Sequence, residues 1–283
     1  MKTGFLLLLV IFYMGLVHAQ DPFDVLEDWD EQPMAVRTFR SLKIVNMHSV
    51  EIPHQNELIF TIGHRFGSIR TGFYEFFGLD NATIRLGFDY GINQWLGVGI
   101  GRSTFEKTYD LYGKARLIEQ AQNGSPLSLT WYVAGSQATI RDRFPPDRDN
   151  FAGRLAVTQS LMLGRMFSEI FSMQASAIWL LPGYLPETGE SDSKFSLGIA
   201  TRLRLTPMTH LNLEYIPEII DEGFSNTNPF SVGFDIETGG HVFQLFFSNT
   251  QGIVDKAYLV NTRGRWDEGD IFFGFTITRV FYL

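Results

Sequence analysis

The sequence predicts an all-β protein: a transmembrane antiparallel up-and-down β-barrel of about twelve strands, with a short N-terminal periplasmic segment. Three observations predict it. First, apolar residues recur at every second position, the mark of a strand with two unlike faces. In Asp80–Ile118, Ile84, Leu86, Phe88 and Tyr90 alternate with Thr83, Arg85, Gly87 and Asp89, and Leu96, Val98 and Ile100 alternate with Gly97, Gly99 and Gly101. Tyr109, Leu111, Ala115 and Leu117 then alternate with Asp110, Tyr112, Lys114 and Arg116. Second, the polar face is too charged for the inside of a soluble barrel, whereas a membrane barrel turns its apolar face to lipid and keeps a polar lumen. Third, long and short connections alternate along the chain.

Met1–Gln20 reads as a targeting segment. Lys2 supplies the positive start, Phe5–Val17 the apolar core and Val17-His18-Ala19 the small-residue site, so cleavage is expected near Ala19 and residues 1–19 are a signal peptide. The apolar core is shorter than the roughly 20 residues a spanning helix needs, and no later run approaches that length. A membrane protein without spanning helices has to be a closed barrel, because lipid cannot satisfy free backbone groups.

Residues 20–56 form the N-terminal periplasmic segment. Asp21, Asp24, Glu27, Asp28, Asp30 and Glu31 make an acidic run that lacks the glycine of a calcium-binding EF-hand loop and reads as a solvated leader. Phe39–Ile52 is more apolar and is expected to fold against the barrel or partly into it.

Residues 57–283 are the barrel. Its expected strands are Glu57–Phe66, Thr83–Tyr90, Trp95–Ser103, Tyr109–Ile118, Leu127–Ile140, Arg154–Arg165, Phe171–Leu181, Lys194–Thr206, His210–Ile216, Phe230–Thr238, His241–Asn249 and Asp270–Leu283. Most are near the roughly 9–11 residues a tilted membrane strand requires. The long links are Gly67–Asn81, Arg141–Asn150, Pro182–Ser193, Pro217–Pro229 and Thr250–Gly269, with a shorter one at Thr104–Thr108. The short ones lie at Gly91–Gln94, Met166–Ile170, Pro207–Thr209 and Gly239-Gly240, with Glu119–Pro126 slightly longer. With the N-terminus in the periplasm and an even strand count, every long link falls outside the cell, as in Gram-negative outer-membrane barrels. Phe281-Tyr282-Leu283 has the look of the C-terminal signal read by the barrel-insertion machinery.

Composition agrees. Twenty-six Phe and ten Tyr favour strands. The absence of Cys removes disulfides and thiolate chemistry, and a net charge of -8 argues against a nucleic-acid partner.

His64-Arg65-Phe66-Gly67, Phe77-Gly78-Leu79-Asp80, Arg85-Leu86-Gly87-Phe88-Asp89-Tyr90-Gly91, Gly99-Ile100-Gly101-Arg102-Ser103 and Lys107-Thr108-Tyr109-Asp110 resemble an uncharacterised outer-membrane β-barrel family of the Bacteroidetes. The resemblance spans about Phe39 to the end and is densest in Glu57–Gln120. It implies the fold and an outer-membrane location. The family has no established activity, so it carries no site onto this chain.

The chemistry is sparse. Gly97, Gly99 and Gly101 lie within a strand with no helix after them, so they are not a nucleotide-binding loop and read as room for large neighbours. Pairing Asp89 with Trp95 would set Arg85 opposite Gly99. No GxSxG, HExxH or P-loop pattern occurs. His48, His54, His64, His210 and His241 lack metal-ligand spacing, and His64 shares parity with the lipid-facing residues. Asn81-Ala82-Thr83 and Asn123-Gly124-Ser125 match glycosylation sequons that read as chance. No cofactor, metal or catalytic residue is expected, and the chain is not read as an enzyme.

Alternation places Arg65, Arg85, Asp89, Asp110, Lys114, Arg116, Arg154, Arg202, Arg204, Glu214, Asp235 and Glu237 in the lumen. These are the candidate site residues. They fit a narrow channel or transporter for small polar or charged solutes. They equally fit a structural or surface-interaction barrel whose lumen is closed by ion pairs. A lipid-modifying enzyme would need a nucleophile and base at the lipid boundary, and no such set is present. A three-residue turn at Pro207-Met208-Thr209 predicts that Arg202 pairs with Glu214 across the lumen.

Overall fold

The computed structural model describes residues 35–185, 193–219, 227–238 and 240–283. The signal peptide, the acidic run, Gly239 and parts of the links Pro182–Ser193 and Pro217–Pro229 lie outside the described residues.

Twelve antiparallel strands close into a barrel in sequence order. They are β1 (Glu57–Ser68), β2 (Ala82–Gly91), β3 (Leu96–Ser103), β4 (Tyr109–Ile118), β5 (Ser128–Gln137) and β6 (Leu155–Met166). The others are β7 (Phe171–Leu181), β8 (Lys194–Arg204), β9 (Thr209–Tyr215), β10 (Phe230–Thr238), β11 (His241–Ser248) and β12 (Phe272–Tyr282). The seam runs between β1 and β12, from Glu57 opposite Tyr282 to Arg65 opposite Gly274, so no sheet edge is left unpaired. Among the described residues two short α-helices, α1 (Phe151–Arg154) and α2 (Asp255–Val260), lie in the long links, with 3-10 turns at Ile69–Glu75 and Trp266–Glu268. Arg154, expected at the start of a strand, ends α1 instead.

The faces sort as the alternation requires. Leu86, Ile100, Leu111, Phe234 and Leu245 are exposed on the outside, while their neighbours Arg85, Asp110, Asp235 and Gln244 are buried inside. Local side chains close the short turns. Asn93 Oδ1 accepts hydrogen bonds from the amides of Trp95 and Leu96, and Thr206 Oγ1 from those of Met208 and Thr209. Thr238 pairs with His241, leaving the two-residue hairpin that the double glycine implied.

The inside is filled by chain. Residues 35–56 enter at the end of the barrel that carries the short turns, where the amide of Val36 donates to the carbonyl of Gln120 at 2.9 Å. They leave at the same end, where the amide of Leu283 donates to the carbonyl of Asn56 at 3.0 Å. Between these points the segment climbs the lumen and turns back. The amide of Ile44 bonds the carbonyl of Met47 and that of Ser49 the carbonyl of Leu42, with Val45 and Asn46 at the tip. Phe39, Ile44, Met47 and Val50 are buried in the main apolar cluster, so Phe39–Ile52 lies within the barrel. Tyr258, Leu259 and Val260 of α2 reach the same cluster from the opposite end. The long link Thr250–Gly269 is therefore not a free external loop throughout: Gly252–Val260 is buried, and its exposed part is confined to residues such as Arg263, Arg265, Asp267 and Glu268.

Candidate functional site

The inner wall grips the re-entrant segment largely through the segment's own backbone. Glu214, on the inner face of β9 and 1% exposed, accepts hydrogen bonds from the amides of Val45, Asn46 and Met47 at 3.0–3.2 Å. The Asn46 side-chain amide adds a fourth donor at 2.6 Å. A carboxylate removed from water needs such donors, and a tight turn of chain supplies three amides at once. On the facing wall Lys114 Nζ donates to the carbonyls of Leu42, Ser49 and Glu51, each at 2.9 Å. Gln174 bonds the amide of Val50 and the carbonyl of His48, and Thr130 the carbonyl of Val50. Gln244 donates to the carbonyls of Lys43 and Ile44 and to Asp235. Small wall residues admit the segment's side chains: a Cβ on Gly198 would sit 2.0 Å from Met47 Sδ.

A second cluster joins the wall to itself. Arg85 binds both carboxylate oxygens of Asp110, and Asp89 accepts from Tyr112 and from Thr61. The expectation that Arg85 stands opposite Gly99 is corrected. Asp89 pairs with Gly99 and Arg85 with Ser103, so the register differs by four residues and parity is kept. The guanidinium instead lies over Gly101 and Gly87, where a Cβ would approach to 2.3 and 2.6 Å, while Gly99 makes room for Tyr112.

The pair Arg202–Glu214 is also corrected. Arg204 faces His210, Arg202 faces Asn212, and Glu214 faces Ala200. The turn is wider than three residues, with the amides of Leu205 and Thr206 both donating to the carbonyl of Thr209. A two-residue slip leaves every side chain on its own face, so alternation gives no warning of it. Arg202 donates to Ser172 Oγ at 3.0 Å.

The other predicted residues have separate places. Arg65 donates to the carbonyls of Thr250 and Val45 and lies over the Phe246 ring, tying link, segment and wall together. Glu237 meets Arg40 of the segment at 3.4 Å. Arg116 pairs with Glu119, Arg204 with Glu169 and Arg154 with Asp149, all at the barrel ends. The twelve residues thus divide among gripping the segment, bracing the wall and lining the ends, and do not converge on one point.

Burial lowers the Lys43 ammonium to about 8. Burial also holds His48 well below the usual imidazole range, with Lys114, Lys43 and Arg85 adding to the effect, and its ring lies between Tyr112 and Tyr132. Sequence reasoning missed Thr130, Gln174 and Gln244. Their inward parity was the available signal, but attention to charge passed over neutral donors.

No curated protein sequence matches this chain. Among solved structures, the NanC porin aligns at a TM-score of 0.50 with 8% identity, covering 80% of this chain and 99% of its own. The KdgM porin aligns at 0.48 with 7% identity and the same coverage. The outer membrane protein Omp33 of Acinetobacter baumannii aligns at 0.44 with 9% identity, again covering 80% and 99%. The first likeness is one of fold, in agreement with the twelve-strand closure described above. The family described as Membrane bound beta barrel domain (DUF5777) matches residues 39–281, and the chain belongs to it, a membrane-bound β-barrel whose match begins within the re-entrant segment.

Proposed function

We propose that the chain is an outer-membrane channel of the porin kind for small polar or charged solutes, held closed at rest by its own N-terminal segment. The observation that carries this reading is how the segment is seated. Between its ends the segment is hydrogen-bonded to the wall through side chains, and backbone–backbone bonds to the barrel strands and turns are confined to its two ends, at the Ala35–Ala121 bridge with Val36 on Gln120, and at Asn56 with Gly91 and Leu283. Water can replace such bonds one at a time, so the segment can shift while the wall stays closed. The similarity to porins supports the same reading. In it the short turns face the periplasm, the signal peptide ends near Ala19, the insertion machinery reads the C-terminal strand, and no catalytic step is assigned.

A second reading has its own support: deep in the lumen the cavities hold about 10–30 Å³ each, no more than a water or two. A permanently filled barrel would be a structural or surface-interaction protein. Planar-bilayer conductance separates the two. The full mature chain is expected to conduct weakly, and a Glu214→Ala, Lys114→Met double variant to conduct several-fold more. A folded double variant as silent as the parent chain favours the structural reading.

A further inference from the structure

The segment does not fill the lumen evenly. Along the β12–β1 seam the inward residues between the barrel's ends are small or hydroxylated, Thr61 and Gly63 on β1 and Thr276 and Thr278 on β12, with the longer Arg65 and, on β11, Gln244 and Phe246 beside them. Three cavities lie along this wall. A vestibule of about 180 Å³ at the turn end is bounded by Arg37, Arg40, Glu237 and Thr278. A cavity of about 30 Å³ follows, sharing Ser41, Leu42 and Thr278 with the first. A third of about 20 Å³ shares Lys43, Thr61, Arg85 and Thr276 with the second and ends at Ile253 and Arg65. The seam register fixes their order. Ile59 pairs with Val280, Thr61 with Thr278, Gly63 with Thr276 and Arg65 with Gly274, so each cavity lies one pleat repeat further from the turn end.

We infer that this row of cavities is the channel's resting path, a course for small anions along the β12–β1 seam, stopped at the far end by Arg65. The inference rests on the channel reading above and adds its route and solute class. Lys43 and Arg85 face both inner cavities and Arg65 the last one, against Asp89 as the carboxylate in the lining of the middle cavity. Asp89 already accepts from Tyr112 and Thr61, and Arg85 retains donor character toward the cavities although it binds Asp110. Cationic lining in a narrow polar bore favours anions. At the far end Arg65 spans from the carbonyl of Val45 to that of Thr250, and Lys43 Nζ reaches the carbonyl of Ile253 at 3.2 Å. These contacts join the re-entrant segment to the external link where the cavities stop.

The absence of cysteine makes the test direct. Thr276→Cys and Thr278→Cys place single thiols on the path. Ser160→Cys and Ser176→Cys place them on the opposite wall, beside a cavity of about 10 Å³ under Met47 and Tyr258. Each full-length variant is reconstituted in vesicles and treated with a sulfonate-bearing and a trimethylammonium-bearing methanethiosulfonate. The Thr278→Cys thiol, which borders the vestibule, is expected to react readily and Thr276→Cys more slowly, as the inner cavities open, while the opposite pair stays protected, with the anionic reagent about tenfold faster than the cationic one at the seam. Equal or faster reaction at Ser160→Cys and Ser176→Cys overturns the route. A faster cationic reagent overturns the solute class. Either result leaves the channel reading standing if the loosened double variant conducts. Seam labelling with no current from that variant overturns the channel reading, and the path with it.

Discussion

The two sides of the lumen wall treat the same segment differently. On β4, β5, β7 and β9 one fully buried inward residue each holds the segment by its backbone: Lys114 is 1% exposed, Thr130 0%, Gln174 1% and Glu214 1%. On β12 and β1, Thr61, Thr276 and Thr278 also face inward yet stay half-buried, beside cavities. Both walls have the same alternation and the same outer belt. What separates them is reach. Lys114, Gln174 and Glu214 cross to the segment's carbonyls and amides and Thr130 lies close enough to do the same, whereas Thr61, Gly63, Thr276 and Thr278 border open space. Most of the grip thus lies away from the seam; beside the seam Arg65 and Gln244 reach the segment's carbonyls, and the cavities remain.

The contrast can be broken most severely at Glu214. Glu214→Ala leaves the amides of Val45, Asn46 and Met47 buried without an acceptor, at a cost of about 3–5 kcal/mol. Hydrogen exchange at these three amides is expected to accelerate by orders of magnitude while the strand amides of β9 stay protected. Unchanged protection would show that the apolar contacts of Met47 and Val50 hold the segment alone.

The outer face should ignore the contrast. Arginine at Leu129 behind the gripping wall, or at Phe275 behind the seam, is expected to cost about 2–4 kcal/mol near the midplane in either place. Unfolding in detergent or lipid measures it. A large cost at one position and none at the other would mean that the belt is not continuous around the barrel.

A milder change sharpens the comparison. Thr276→Ala on the seam removes a half-buried hydroxyl that borders the cavities, and stability should change by no more than about 0.5 kcal/mol. Conductance is the expected readout, with a small rise. A loss comparable to that of Glu214→Ala would show that the seam grips as well.

The smallest expected effect is on selectivity with pH. Lys43 faces Arg85, Arg65, Asp110 and Asp255, and burial lowers it from 10.5 to about 8. Below about 8 its charge is present and adds to the anion preference; above that it is lost, while Arg85 and Arg65 remain cationic. Reversal potentials in a salt gradient should therefore show a modest fall in anion preference between pH 7 and about 9. Over the window from about 8 to 10.5 the released chain binds the proton that the folded one lacks, so seating of the segment should strengthen as pH rises. A preference that grows over this range would remove Lys43 from the path.

The sequence by itself determined the strand count, the two faces and the sorting of long links to one end, because each rests on local signals. Period two is written in adjacent residues, and Asn93 and Thr206 close their turns within a few positions. Placing Arg65, Arg85, Lys114 and Glu214 inside needed no more than parity. Which residue stands opposite which was decided by the tertiary structure. Slips of two or four residues preserve parity, so Arg202 faces Asn212 and Arg85 faces Ser103 without any change in pattern. The sequence marked Phe39–Ile52 as apolar enough to enter the barrel, but how the segment is held there lay beyond it. Glu214 and Asn46 are 168 positions apart in the chain, and the groups that meet Glu214 and Lys114 are mainly backbone amides and carbonyls. Every residue carries those groups, so nothing in the letters marks the ones that will be held.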